Sequence, residues 1–193
     1  MPAPFTEVLV PLDGSPAAER ALVPALELVA RTGVPLRILT RVLPGEEESS
    51  ARYLVELADR HAAATDVESE IVSREAIPDA ILDGLAPGSL VCMSSHGRGG
   101  LARAVMGSVA EALLRRLDRP ALVIGPHVVD EVGFTGRIVA CLDGSDAAER
   151  TLAPAQQWSQ ALGLPLWLME VRDPDVVPPA YTATGDVTEG GYL

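Results

Sequence analysis

Ser89-Leu90-Val91-Cys92-Met93-Ser94-Ser95-His96-Gly97, followed after nine residues by Gly107-Ser108, is the stretch from which the rest of the chain is read. Its apolar half, Ser89 to Met93, has the length and composition of a buried strand, and the residues after Gly107 recur with helical period. A strand that breaks at glycine, crosses a loop and enters a helix through Gly-Ser has the parts of a phosphate cradle. Glycine lets the backbone approach a bulky anion, and the unpaired N–H groups of a first helical turn point at it with the helix dipole behind them. The stretch therefore predicts a nucleotide site.

Upstream, Glu7 to Asp13 is a short apolar run closed by a carboxylate, and Gly14-Ser15-Pro16 turns the chain. Ser15 suits an N-cap and Pro16 a first helical position. Helical spacing through Ala18, Leu22, Leu26 and Val29 predicts one helix that ends at Gly33. Val34–Leu43 reads as a second strand, 49–64 as a helix, 67–72 as an edge strand and 80–85 as a short helix. Beyond the glycine loop, 108–117 reads as a helix and Pro120–Ile124 as a fifth strand. Alternating strands and helices predict an α/β fold with a parallel sheet and right-handed crossovers. In such sheets ligands sit at the carboxyl ends of strands where the strand order reverses. Asp13 and Ser94–Gly97 are the unusual polar groups at two such ends. If strand four lies beside strand one, both face the same crevice.

The chain then repeats itself. Val10-Pro-Leu-Asp-Gly-Ser-Pro-Ala-Ala-Glu-Arg20 returns as Ala140-Cys-Leu-Asp-Gly-Ser-Asp-Ala-Ala-Glu-Arg150, Pro24-Ala25 as Pro154-Ala155, and Gly33-Val-Pro-Leu36 as Gly163-Leu-Pro-Leu166. Agreement over this length reads as a tandem duplication: a first domain over 1–126, a linker over 127–136, and a second copy over 137–193. The second copy reaches Tyr192-Leu193, which match Tyr53-Leu54, so it holds strand one, helix one, strand two and a tail but no second glycine loop. Two strands and a helix bury too little to stand alone, so this part is expected to pack on the first domain or on another chain, or to stay partly disordered.

Composition narrows the partners. The 193 residues are 48% hydrophobic and carry a net charge of −12, which argues against a nucleic-acid backbone as partner. No apolar run nears the ~20 residues that span a bilayer, and the N-terminus lacks a signal-like stretch, so no membrane partner and a cytoplasmic location are expected. All 15 cations are arginines. Without lysine there is no Walker-A loop and no Schiff-base chemistry. Cys92 and Cys141 lie in apolar runs and read as two buried thiols.

These residues resemble the universal stress protein family. Its nucleotide-binding members carry an Asp closing strand one and a signature of Gly, two residues, Gly, nine residues, then Gly-Ser or Gly-Thr. Here Gly97, the span Arg98–Met106 and Gly107-Ser108 match it, Ser94 replaces the first glycine, and Ala110 stands where many relatives carry a hydroxyl. The resemblance covers 5–126 as a whole domain and 137–193 as the start of another. It implies a five-stranded parallel sheet of order 3-2-1-4-5 with helices on both faces, often paired through strand five as a homodimer, and ATP held with Mg²⁺. It further implies that Asp13 bonds the ribose side with Pro11 nearby, and that Val42 touches adenine. Met93 and Ser94 would line the ribose, and Gly97, Gly107, Ser108 and Val109 would hold the phosphates.

Several residues admit a plainer reading. Asp13 would serve equally in an Asx turn before the helix, and Ser108 as a simple N-cap. His96, with no Ser/His/Asp arrangement evident in the sequence, fits a phosphate contact better than a catalytic base. Arg98 and Arg103 are loop cations able to screen a triphosphate or to rest in solvent. Three functions remain: an ATP-dependent regulatory switch, a weak ATPase or self-phosphorylating enzyme, and an interaction module without nucleotide. A dehydrogenase is disfavoured because Asp13-Gly14-Ser15 stands where GxGxxG would follow strand one.

Overall fold

The computed structural model describes residues 3–41, 45, 47–61, 67–72, 77–96, 106–126, 128 and 133–170, with the backbone alone at 41 and 67–72. Strands β1 (Glu7–Leu12), β2 (Leu36–Arg41), β3 (Val67–Val72), β4 (Ser89–Ser94) and β5 (Ala121–Ile124) form one parallel sheet in the order β3-β2-β1-β4-β5. Its helices are α1 (Pro16–Glu19), α2 (Leu22–Thr32), α3 (Glu47–His61), α4 (Ile77–Asp83) and α5 (Ser108–Leu114).

The period of two sorts the strand residues between two layers. Val8, Val10, Leu12, Leu36, Ile38, Leu90 and Cys92 pack with α1, α2 and α3 on one face. Leu9, Leu39, Val91 and Met93 pack with α4 and α5 on the other. Burial on both faces is why these strands read as continuous apolar runs rather than as alternating ones.

The single helix expected from Pro16 to Gly33 is two. Pro24 has no N–H to offer the carbonyl of Arg20, so the ladder breaks there and the chain bends at Arg20-Ala21. The Ala21 carbonyl at the bend also accepts from the buried Cys92 thiol, at 3.3 Å. Gly33 ends α2 in the left-handed region at φ 73°, its N–H bonded to the Val29 carbonyl at 2.7 Å. The other expected elements stand, with ends shifted by up to three residues.

Residues 137–170 reproduce the start of the first sheet. β6 (Ile138–Leu142) and β7 (Leu166–Glu170) are a parallel pair joined through α6 (Asp146–Glu149) and α7 (Leu152–Leu162), and Pro154 separates those helices as Pro24 does the first two. This part packs on the first sheet's helical layer. Leu162 joins the apolar cluster beneath α2, and Trp158 meets Phe5 with ring centroids 5.3 Å apart. Arg31 on α2 donates to the carbonyls of Leu162 and Phe134, each at 2.9 Å, and Glu27 accepts the Phe134 N–H at 2.6 Å.

The far face of β6–β7 is open. Val139 is 45% and Trp167 53% exposed, whereas Leu9, the counterpart of Val139 in the first copy, is at 0%. In the first copy α4 and α5 cover that face; among the described residues no helix does so here. Arg137 lies over the Trp167 ring, 3.6 Å from its centroid. Cys141 is on this face and is exposed, which corrects the expectation of two buried thiols; only Cys92 is buried.

Candidate nucleotide site

A crevice opens between β1 and β4 at their carboxyl ends. β1 stays paired with β2 as far as Leu12↔Thr40, and β4 with β5 as far as Ser94↔Ile124. The ladder between β1 and β4 runs only from Glu7↔Ser89 to Leu9↔Val91. Each strand follows its outer neighbour and the two part, at the point where the strand order reverses. Pro11, Leu12 and Asp13 form one lip, and Met93 to His96 the other. The Thr40 hydroxyl, donating to the Leu12 carbonyl at 3.1 Å, anchors the first lip to β2.

On the first lip, Asp13 makes the Asx turn: its Oδ1 accepts the Ser15 N–H at 2.9 Å, Gly14 sits at φ 76°, and Ser15 Oγ caps α1 by accepting the Ala18 N–H at 3.2 Å. Asp143, Gly144 and Ser145 do the same at 2.9 Å, φ 79° and 3.1 Å. Hydrogen bonds from Ser145 hold the Asp143 carboxyl below its usual range. Recurrence of Asp-Gly-Ser is thus explained by how each helix starts. What distinguishes Asp13 is its place on the crevice. Behind it, the Tyr53 hydroxyl on α3 donates to Glu19 on α1 at 2.9 Å. Burial, then Glu19, then more weakly Asp13 raise the Tyr53 phenol well above its ordinary value, so it stays protonated.

On the second lip, Ser94 is ordinary strand, and no described non-glycine residue has positive φ, so serine stands in place of glycine without backbone strain. Ser95 is buried; its N–H donates to the Ile124 carbonyl and its carbonyl accepts the Gly107 N–H, both at 2.8 Å. These bonds tie β4, β5 and the start of α5 together. Gly107 caps α5 at φ −62°, a conformation open to any residue, so backbone freedom does not require glycine there. The amides of Ser108, Val109 and Ala110 have no acceptor within the helix. The side chains of Met93 and Ala110 are buried in the α4–α5 layer, so these two can offer a ligand only their backbone, and Val109 packs against the same layer partly buried. Val42, Gly97, Arg98 and Arg103 lie outside the described residues. Ser95 had not been singled out from the sequence, although an adjacent Ser-His pair at a strand end is a signal that could have marked it.

The model for the family described as Universal stress protein family matches residues 4–125. The chain belongs to that family. A universal stress protein of Mycobacterium tuberculosis (strain ATCC 25618 / H37Rv) is 34% identical over 130 residues, covering 60% of this chain and 44% of the relative. The chain thus spans about half the length of the curated relatives it matches. Among solved structures, a universal stress protein in complex with cAMP is 29% identical with a TM-score of 0.52, covering 63% of this chain and 97% of that one. A universal stress protein from Archaeoglobus fulgidus DSM 4304, at 20% identity and TM-score 0.69, covers 88% of this chain and 68% of its own, a likeness of fold alone.

Proposed function

We propose that this universal stress protein binds an adenine nucleotide, ATP with Mg²⁺, in the crevice between β1 and β4, and acts as a nucleotide-dependent regulatory switch with little or no turnover. The observation that carries this reading is the parting of β1 from β4, with Asp13 on one lip and the Gly107–Ser108 turn, whose first amides have no acceptor within the helix, beyond the other. The related protein in complex with cAMP supports an adenine nucleotide as the ligand class. In this reading Asp13 takes the ribose side, the backbone of Met93 and Ser94 lines the sugar, and the amides of Ser108 and Val109 meet phosphate oxygens. Among the described residues no group of three or more His, Cys, Asp or Glu side chains could hold a metal. Mg²⁺ would be carried on phosphate oxygens and completed by water, as the ion usually accompanies nucleotides. A bound nucleotide would bridge β1, β4 and α5, so occupancy would stiffen the sheet's open end, and partners would read that difference.

The reading extends to the whole chain. Residues 1–126 are taken as one universal stress protein domain, 127–136 as a linker and 137–193 as the beginning of a second. The outer edge of β5, unpaired among the described residues, is the proposed contact of a homodimer. A cytoplasmic location is proposed with it; no helix among the described residues is long and apolar enough to cross a membrane.

The test is direct. Denaturing the purified protein should release adenine nucleotide, and MgATP at about 100 times its Kd should add about 2.7 kcal/mol, a melting shift of several degrees. Asp13→Ala should weaken binding while Asp143→Ala, which loses the same turn away from the crevice, should not. No released nucleotide and no shift would refute the proposal. Rapid phosphate release would replace the switch with an ATPase.

A further inference from the structure

His96 is held from two directions. Its backbone N–H donates to Ser94 Oγ at 3.3 Å, and its ring Nδ1 lies 2.8 Å from Ser95 Oγ. Ser95 is itself fixed, with its N–H on β5 and its carbonyl on Gly107, and it is only 7% exposed. A buried hydroxyl has one proton and two lone pairs. If Nδ1–H donated to Ser95 Oγ, the serine proton would need a second acceptor, and an unmet buried donor is costly. If the Ser95 hydroxyl donates to Nδ1, both groups are satisfied by one bond. The neutral imidazole then carries its proton on Nε2.

We propose that Ser95 is a positioning residue: its hydroxyl donates to Nδ1 of His96, holds the ring in the Nε2–H form, and makes His96 a directed donor to an anionic oxygen of the ligand in the crevice. The ligand half of this proposal rests on the nucleotide reading; the ring's proton position does not. The choice of nitrogen decides the sign of the interaction. Nε2–H attracts a phosphate oxygen, whereas the other tautomer would present a lone pair to it and repel it. A serine one residue before the histidine thus sets what the histidine can recognise.

Long-range ¹H–¹⁵N spectra of histidine-labelled protein test this, with His96→Gln assigning the signal among the three histidines. The wild type should show protonated Nε2 and an accepting Nδ1. Ser95→Ala should give a tautomer mixture and bind MgATP about tenfold more weakly, and Ser95→Thr, which keeps the hydroxyl, should restore both. A wild-type ring protonated on Nδ1, or a Ser95→Ala ring with an unchanged tautomer, overturns the positioning role whatever ATP does. A tautomer that responds as expected in a protein that binds no ATP refutes the nucleotide reading and the ligand half alone. A Ser95→Ala protein with shifted tautomer and unchanged ATP affinity overturns the ligand half while leaving the nucleotide reading in place.

Discussion

Arg31→Ala should loosen residues 137–170 from the first sheet while leaving that sheet folded. The guanidinium makes two bonds across the junction, 2.9 Å to the Leu162 carbonyl and 2.9 Å to the Phe134 carbonyl. Its 2.6 Å pairing with Glu27 lies within α2 and does not itself cross the junction, although the same carboxylate accepts the Phe134 N–H. The Arg31 side chain is 35% exposed, so each crossing bond is set at about 1 kcal/mol rather than at the upper value for charged donors. Losing both costs about 2 kcal/mol, roughly a 30-fold fall in the ratio of docked to undocked states. The Phe5–Trp158 contact and the burial of Leu162 remain, so docking weakens without vanishing. Both tryptophans, Trp158 and Trp167, lie in this second part, so tryptophan fluorescence follows it alone while far-UV circular dichroism follows the whole chain. In a urea titration the fluorescence midpoint of Arg31→Ala should fall below the circular-dichroism midpoint, and Phe5→Ala should reproduce the separation. A fluorescence midpoint equal to that of the wild type would show that these bonds do not hold the junction.

Three further outcomes follow from local chemistry. Burial opposes the charge of Glu7, but hydrogen bonds from Ser89 and Arg37 outweigh it and lower its titration below the ordinary 4.5. The folded value therefore lies under the unfolded one, so this stabilisation is complete well above pH 4.5 and fades as pH falls through the folded value. Glu7→Gln should accordingly show a flatter fall of melting temperature with acid than the wild type; parallel curves would contradict this. Gly33→Ala meets open space but must hold φ 73°, so chemical denaturation should show a loss of about 1 kcal/mol, and no loss would mean the turn relaxes. Burial pushes the Cys92 thiol up to about 12 while Cys141 is exposed, so one thiol should react quickly with a disulfide reagent at neutral pH and the second only on unfolding.

Much of this molecule is legible along the chain. Apolar runs such as Leu90–Met93 mark strands buried on both faces because a parallel sheet between helices leaves no polar side for them. Ser15 before Pro16 and Gly33 after Thr32 mark helix ends through chemistry local to a few residues. The break between α1 and α2 was equally local, since Pro24 and Pro154 stand in the sequence; the helical period concealed it, because the apolar stripe continues across the bend.

Other features depend on what lies across space. Cys92 and Cys141 sit in similar apolar runs, yet one is buried and the other exposed, because covering helices exist for β4 and not, among the described residues, for the outer face of β6–β7. Asp13 and Asp143 make the same turn, and among the described residues only Asp13 lies where its strand parts from a neighbour, β4. The side chains of Met93 and Val109 pack into the α4–α5 layer, a placement that depends on which helices come to lie over β4. The serine beside His96 became informative only when its hydroxyl was found 2.8 Å from Nδ1. Local propensity and hydrophobic period determined which segments are strands and helices and where most of them stop, because those forces act between near neighbours. The crevice and the uncovered β6–β7 face were decided by tertiary structure alone, because each depends on which distant segment comes to lie alongside.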